Sequence, residues 1–216
     1  MTTVTSSRMY SFVALVVCAA SSVLTLAACS SDKTTPSASS SSGSLSASAF
    51  TEAPASNEPA PAASACPTAA PGTGGTPEWT LTGATGSVAV TGSTDTAAPR
   101  VDVTAPFSVT QTEVHTLHAG DGPIVAPTAT VSVCYLGVNG RDGSVFDSAY
   151  QRGAPVDFPL NGVVPGFQKA IGGQKVGSTV GVAVTSADGY PDGEPRAGIQ
   201  KGDTLVFAIK ILSASS

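Results

Sequence analysis

One run of residues in the second half of the chain combines aromatic rings, a carboxylate and turn-forming glycines at defined spacing. Its segments are 143–148 (GSVFDS), 163–167 (VVPGF), 173–177 (GQKVG), Tyr190 and 203–207 (DTLVF). No member of the set is a nucleophile or a metal ligand. Asp147 supplies one carboxylate, and Tyr135 and Tyr190 supply phenols. This mixture is typical of an apolar cleft with a few polar anchors that binds a small ligand or a peptide.

In order and spacing, the run resembles the FKBP-type peptidyl-prolyl cis-trans isomerases, and the resemblance covers residues 112–212. It implies catalysis of rotation about Xaa-Pro peptide bonds without a cofactor and without a metal ion. The substrates it implies are proline-containing proteins, unfolded or outside the cytoplasm. Macrolides that mimic proline are the inhibitors it implies.

The resemblance also assigns roles to single positions. The catalytic set is Tyr135, Phe146, Asp147, Tyr190 and Phe207, and the substrate-binding set is Val163, Val164, Phe167 and Ile199. The backbone N–H of Val164 and the hydroxyl of Tyr190 would hold carbonyl groups of the bound peptide. Phe167 stands at the floor of the cleft, where the family often has Trp. Taken singly, Phe146 or Phe207 is more often a core residue, but the ordered set with Asp147 favours a cleft.

Several positions depart from the family pattern. Val156 replaces a frequent Phe, Pro195 a frequent His and Gly198 a frequent Ile, and residues 160–163 are about two residues short. These positions belong to the rim of the expected cleft, so they bear on specificity.

The elements that must position these residues are mostly strands. Alternating apolar side chains predict strands over 130–138, 145–148, 156–160, 179–185 and 205–211, and a weaker one over 113–118. Only 166–171 is helical in pattern, with Pro165 in its first turn and Gly172 and Gly173 at its end. We therefore predict an α+β domain over 109–216, in which an antiparallel half-barrel sheet of five or six strands wraps around one short helix.

The N-terminal part of the chain has a different organisation. Residues 1–28 read as an export signal, because Arg8 precedes an apolar stretch that ends at Leu26-Ala27-Ala28-Cys29. The end of this stretch resembles the bacterial lipobox, which predicts diacylglycerol on Cys29 and anchoring to the outer face of the cytoplasmic membrane. An uncleaved transmembrane anchor over 9–28 is the alternative, since about 20 apolar residues can span a bilayer.

Between the signal and the domain lie two further segments. Residues 29–77 are dominated by Ser, Ala, Pro, Thr and Gly, a composition that predicts a disordered tether. Residues 78–108 show short alternating stretches, which predict a leader with short strands that lies on the domain.

Cysteine and histidine leave two questions open. An exported Cys66 and Cys134 can form a disulfide, and two free thiols are an equally good interpretation. Strand alternation puts Cys134 on the face opposite Tyr135. His115 and His118 are three residues apart in a predicted strand, so their side chains point to opposite faces and a metal site is disfavoured.

The net charge of the chain bears on which kinds of partner it can bind. The formal net charge of −5 and the absence of a basic patch argue against nucleic acid as a partner. The first interpretation is an exported, lipid-anchored isomerase that assists protein folding outside the cytoplasmic membrane. The alternative is a low-turnover peptide-binding module, either a chaperone or an adhesion surface, that uses the same cleft.

Overall fold

Two antiparallel sheets make up the part of the chain that the computed structural model describes, residues 65–215. Within this range the first sheet has the order β1-β2-β3, and the second has the order β4-β8-β9-β5-β6 with β7 paired to β5. The strands are β1 (Trp79–Thr82), β2 (Thr85–Thr91), β3 (Arg100–Ser108), β4 (Glu113–His118), β5 (Thr130–Asn139), β6 (Val145–Ser148), β7 (Val156–Pro159), β8 (Thr179–Val184) and β9 (Leu205–Ser215). The helices are α1 (Ala149–Arg152) and α2 (Pro165–Ile171).

Helix α2 forms the centre of the main core. Pro165 occupies its first turn, and the N–H of Gly172 closes its end on the carbonyl of Gln168 at 2.9 Å. Phe167, Ala170 and Ile171, spaced three and four residues apart, share one face and pack with the buried side chains of the second sheet. The prediction of an antiparallel sheet with a short helix against one face is confirmed.

The first sheet packs against the second sheet and makes a separate core. Val88, Val90 and Phe107 of the first sheet pack with Ala183 and with Val206 and Ala208. Strand β8 is consequently buried at all six positions, although its alternating sequence would suit a sheet with one covered face. The ring of Trp79 lies so close to Gly181 that a Cβ there would stand 2.7 Å from it. Trp79 also stacks on His115, with ring centroids 5.7 Å apart.

Residues 65–77, which the sequence assigned to the tether, lie against the domain. Cys66 forms a disulfide with Cys134 of β5 and is almost fully buried. The N–H of Cys66 donates to the carbonyl of Gly153 at 3.3 Å, and the guanidinium of Arg100 donates to the carbonyls of Gly72 and Gly75. The signal peptide over 1–28, the lipidation of Cys29 and the tether up to residue 64 lie outside the described residues. Among the described residues, no helix has the length and hydropathy to cross a bilayer.

Helix α1 is an element that the sequence analysis did not predict. Its single turn is too short to show a helical period, but both of its ends carry capping residues. The hydroxyl of Ser148 accepts from the N–H of Gln151 at 3.2 Å, and Gly153 takes the left-handed conformation at φ 69°. The turn matters because it places Arg152 next to Asp147 of the preceding strand, β6.

Candidate functional site

An apolar cleft of about 310 Å³ opens between the second sheet and helix α2. Strand β5 supplies Tyr135, β6 supplies Phe146 and Asp147, and β9 supplies Phe207. The remaining lining residues come from β7, from the segment leading into α2, from α2 itself and from the loop after β8: Val156, Phe158, Gly162, Val163, Val164, Phe167 and Tyr190. A volume of this size, lined mainly by rings and aliphatic groups, suits one proline ring and its flanking backbone.

The rings of the cleft hold one another in place. Phe207 meets Phe167 edge-on, with centroids 4.7 Å apart at 89°, and Phe146 in the same manner at 5.5 Å. Tyr135 meets Phe167 edge-on at 5.7 Å. Edge-to-face pairs are the favoured arrangement of aromatic rings. The cleft is therefore preformed, with Phe167 as its floor and Phe207 in contact with both the floor and one wall.

Gly137 makes this ring packing sterically feasible. It lies on β5 in register with Asp147 of β6 and with Phe207 of β9. A Cβ at this position would stand 2.7 Å from the ring of Phe146 and 2.9 Å from that of Phe207. The two rings can meet only because residue 137 has no side chain. No role for Gly137 was predicted from the sequence.

Asp147 is the central polar group of the cleft wall. It accepts hydrogen bonds from the hydroxyl of Tyr135 and from the guanidinium of Arg152. Burial by itself would raise the pKa of Asp147, but the hydrogen bonds from Tyr135 and Arg152 outweigh it and hold that pKa below its ordinary value. Burial and the bond to Asp147 raise the pKa of Tyr135 to about 12. The carboxyl is therefore ionised and the phenol protonated at neutral pH.

Two donors at the cleft are free for a ligand. Within residues 65–215, neither the hydroxyl of Tyr190 nor the backbone N–H of Val164 has a hydrogen-bond partner. Burial, followed by the negative charges of Glu194 and Asp147, raises the pKa of Tyr190. The phenol therefore keeps its proton at neutral pH and can donate to a carbonyl oxygen of a bound peptide.

The structure brings eight of the nine predicted site residues together around the cleft. Ile199 is the exception. Its side chain is 2% exposed and packs into the main core, and its backbone pairs with Glu194. The assignment of Ile199 to substrate binding stays a prediction, and the structure places its side chain in the main core rather than on the cleft wall.

Arg152, Phe158 and Gly162 belong to the site but were not assigned to it from the sequence. Phe158 contacts the floor ring, Phe167, at a centroid distance of 5.9 Å. Arg152 pairs with Asp147 and lies 5.8 Å above the ring of Tyr135. The caps of α1 are the sequence signal that could have placed Arg152 near Asp147.

Together, a preformed aromatic cleft with an ionised carboxylate and two free donors defines a protein suited to bind a small apolar group flanked by carbonyls. The model of the family described as FKBP-type peptidyl-prolyl cis-trans isomerase matches residues 122–212. A probable FK506-binding protein of Corynebacterium glutamicum is 38% identical over 96 residues, which cover 44% of this chain and 80% of the relative. The chain belongs to the FKBP-type peptidyl-prolyl cis-trans isomerase family, which carries this activity and binds proline-containing substrates and macrolides.

Two further proteins match over a smaller share of their own length than this relative. The FKBP-type 22 kDa peptidyl-prolyl cis-trans isomerase of Escherichia coli is 38% identical over 44% of this chain, and the match spans 46% of that relative. A crystal structure of a peptidyl-prolyl cis-trans isomerase from Pseudomonas syringae pv. tomato is 27% identical, with a TM-score of 0.44, over 49% of this chain and 76% of the other.

Replacement of Asp147 is expected to affect activity more than stability. Asp147→Ala should lower kcat/KM for an Xaa-Pro peptide and change the free energy of unfolding by under about 1 kcal/mol, since half-exposed ion pairs contribute little. Peptide isomerisation kinetics and urea denaturation measure the two effects. Asp157→Ala is the matched control, because Asp157 is exposed on β7 between two cleft-lining residues. Equal loss of activity in both variants would contradict a role for Asp147 in the cleft.

The lowered pKa of Asp147 sets the direction of the pH dependence. The stabilisation from its pairs is present above the ordinary carboxyl pKa of about 4 and is lost as the pH falls through the lower folded-state value. Activity that depends on the ionised carboxylate should therefore be level across neutral pH and fall only in strong acid. A decline near pH 6 that is absent from Asp147→Ala would contradict this assignment.

Proposed function

We propose that the chain is an exported, lipid-anchored peptidyl-prolyl isomerase that accelerates proline-limited folding outside the cytoplasmic membrane. The observation that carries the proposal is the cleft itself, in which aromatic rings surround a space for one proline, two donors remain available and an ionised carboxylate lies in the wall. Its substrates are proline-containing segments of unfolded proteins, and proline-mimicking macrolides would compete for the same space.

The chemistry requires no covalent step. The barrier to rotation about a peptide bond is about 18–20 kcal/mol, because the twisted amide loses its resonance. The planar amide is also more dipolar than the twisted one, so an apolar cleft that removes water destabilises the planar form relative to the twisted form. Phe146, Phe167 and Phe207 supply the apolar surface for this effect.

Hydrogen bonds that are stronger in the twisted state add to the effect. The N–H of Val164 and the hydroxyl of Tyr190 can hold the carbonyls that flank the rotating bond, while the proline ring stays against Phe167. This is preferential binding of the transition state. An acceleration of about four powers of ten needs about 5.5 kcal/mol, which a dry pocket and one or two oriented hydrogen bonds can approach.

The disulfide between Cys66 and Cys134 supports export. Disulfides persist in oxidising compartments outside the cytoplasm and are rare inside it. A disulfide at residue 66 also leaves the preceding chain, from Cys29 onward, as a spacer between the domain and a lipid anchor. Two acyl chains on Cys29 would give stable attachment where one chain would be marginal.

Lipidation of Cys29 is tested by the mass of the mature N-terminus. The mature chain should begin at Cys29 with a thioether-linked diacylglycerol, and Cys29→Ala should abolish this modified N-terminus. Cys18→Ala is the matched control, because Cys18 lies within the expected signal and should leave processing unchanged. Wild-type protein that retains residues 1–28 would contradict the proposed anchor.

A peptide-binding module with little turnover is the second candidate function. The departures at the rim, such as Val156 in place of a Phe, and the Phe167 floor favour it, because they change the surface that receives the peptide. Refolding of a protein with a slow proline-limited phase separates the two functions. The isomerase should accelerate that phase at substoichiometric amounts. A binding module would need stoichiometric amounts and would leave the rate constant unchanged or lower.

A further inference from the structure

A buried carboxylate at the end of the loop between β8 and β9 has no role in the cleft described above. We refer to this loop, residues 185–204, as the flap. The side chain of Asp203 is 6% exposed, and its carboxylate accepts from the side-chain amide of Asn139 at 2.7 Å and from the N–H of Gln200 at 2.9 Å. A third donor, the Nε of Arg141, lies at 3.3 Å. Burial of a charged group with three donors indicates a defined structural task.

Arg141 extends this contact from the β5–β6 hairpin to the flap. Its Nε pairs with Asp203, while another nitrogen of the same guanidinium donates to the carbonyl of Gly198 at 3.1 Å. Its backbone N–H donates to the side chain of Asn139 at 2.9 Å. The Arg141–Asp203 pair therefore joins the hairpin to both ends of residues 198–203, the last part of the flap.

A short path of hydrogen bonds leads from this pair to Tyr190. The N–H of Gly202, the residue before Asp203, donates to the hydroxyl of Ser186 at 3.2 Å. That hydroxyl donates in turn to the carbonyl of Tyr190 at 3.2 Å, and the N–H of Gly193 donates to the same carbonyl at 3.0 Å. The phenol of Tyr190 has no partner of its own within the described residues, so its place at the cleft depends on how its backbone is held.

We propose that Asp203 and Arg141 are positioning residues, which hold the flap so that the hydroxyl of Tyr190 meets the carbonyl of a bound proline peptide. The inference rests on the proposed function, since it concerns the same cleft. The flap is rich in glycine and has only two single-turn helices, Ser186–Asp188 and Pro195–Ala197, among its described residues. Such a loop is ordered by specific contacts rather than by regular structure.

The second attachment of the flap lies at its beginning. Asp188 accepts from the ammonium of Lys169 on α2 at 2.6 Å and from the hydroxyl of Thr112 at 2.5 Å. Loss of the Arg141–Asp203 pair therefore leaves the flap attached at this end. We expect the change to loosen the approach of Tyr190 without removing the flap from the domain.

A double-mutant cycle on the full-length, oxidised chain tests the inference. Arg141→Lys and Asp203→Asn are each measured alone and in a Tyr190→Phe background, by kcat/KM and by Kd for one Xaa-Pro peptide. Each change alone should lower kcat/KM or raise Kd by about tenfold, which is the effect expected from the loss of one charged hydrogen bond. In the Tyr190→Phe background the further loss should be under about twofold, because the group being positioned is absent.

Asp142→Asn is the matched control. Asp142 pairs with the same guanidinium at 2.9 Å but is exposed and does not touch the flap, so its replacement should have no effect. Amide exchange gives an independent readout, and the N–H groups of Gly202 and Ile199 should exchange faster in Arg141→Lys at unchanged global stability. If Asp203→Asn does not fold, Arg141→Lys decides the result, because the side chain of Arg141 is half-exposed and its replacement should leave the fold intact.

The inference would be overturned if Arg141→Lys and Asp203→Asn lowered kcat/KM by the same factor in the Tyr190→Phe background as in the wild type. A loss in Asp142→Asn equal to that in Arg141→Lys would overturn it too. The two proposals fail separately. A wild-type chain that binds the peptide without turnover contradicts the proposed isomerase, while the cycle on Kd still decides whether Arg141 and Asp203 act through Tyr190.

Discussion

Phe207→Ala is expected to reduce both stability and activity. Phe207 is 4% exposed and meets both Phe167 and Phe146 edge-on, so the truncation leaves a void between the floor and the wall of the cleft. Truncation of a buried Phe costs about 3–5 kcal/mol. Urea denaturation should show this loss, and peptide isomerisation, measured where the variant is still folded, should show a large decrease in kcat/KM.

Phe207→Leu separates the two contributions of this ring. The leucine fills much of the void, so the free energy of unfolding should recover most of the loss. It cannot present a ring edge to the floor, so activity should stay below that of the wild type. A folded Phe207→Ala variant with wild-type kcat/KM would contradict the place of Phe207 in the functional cleft.

Loss of the disulfide should have the second-largest effect. The bridge joins residues 68 positions apart, and the chain-entropy model allows up to about 4 kcal/mol of stabilisation for a loop of this length. Reduction of the wild-type chain should lower its free energy of unfolding by up to this amount. The hydrogen bonds of Arg100 to residues 72 and 75 should keep part of the segment in place.

Peptide mapping under non-reducing conditions checks the pairing directly. Cys66→Ala is the matched control for the stability measurement, because reductant should then have no further effect. Two thiols that react with an alkylating reagent in exported, unreduced protein would exclude the bridge.

The sheet and α2 could be predicted because their signals are local. Strands β5 and β8 alternate apolar and small residues, and α2 has proline at its start and glycine after its end, so the predicted bounds agree with the structure to within one residue. The packing of the first sheet against the second could not be predicted in the same way. It depends on contacts such as Trp79 with Gly181, which are far apart in the chain and leave no periodic pattern.

In the site, too, residues within short motifs could be predicted from the sequence, whereas residues whose role depends on tertiary contacts could not. The resemblance located the rings, since they stand at characteristic spacing within short motifs. It did not reveal Arg152, which acts through Asp147, or Gly137, whose role is visible only once three strands are in register. The resemblance assigned Ile199 to the cleft by its position in the family pattern, and only the fold shows that its side chain packs into the core.

The most direct test of the account is the rate of cis-to-trans conversion of short Xaa-Pro peptides at increasing concentrations of the purified, oxidised chain. The rate constant should rise in proportion to protein concentration and return to the uncatalysed value when a proline-mimicking macrolide occupies the cleft. A folded chain that accelerates no Xaa-Pro peptide, yet binds unfolded polypeptides, would contradict the isomerase and leave the peptide-binding module as the function of the cleft.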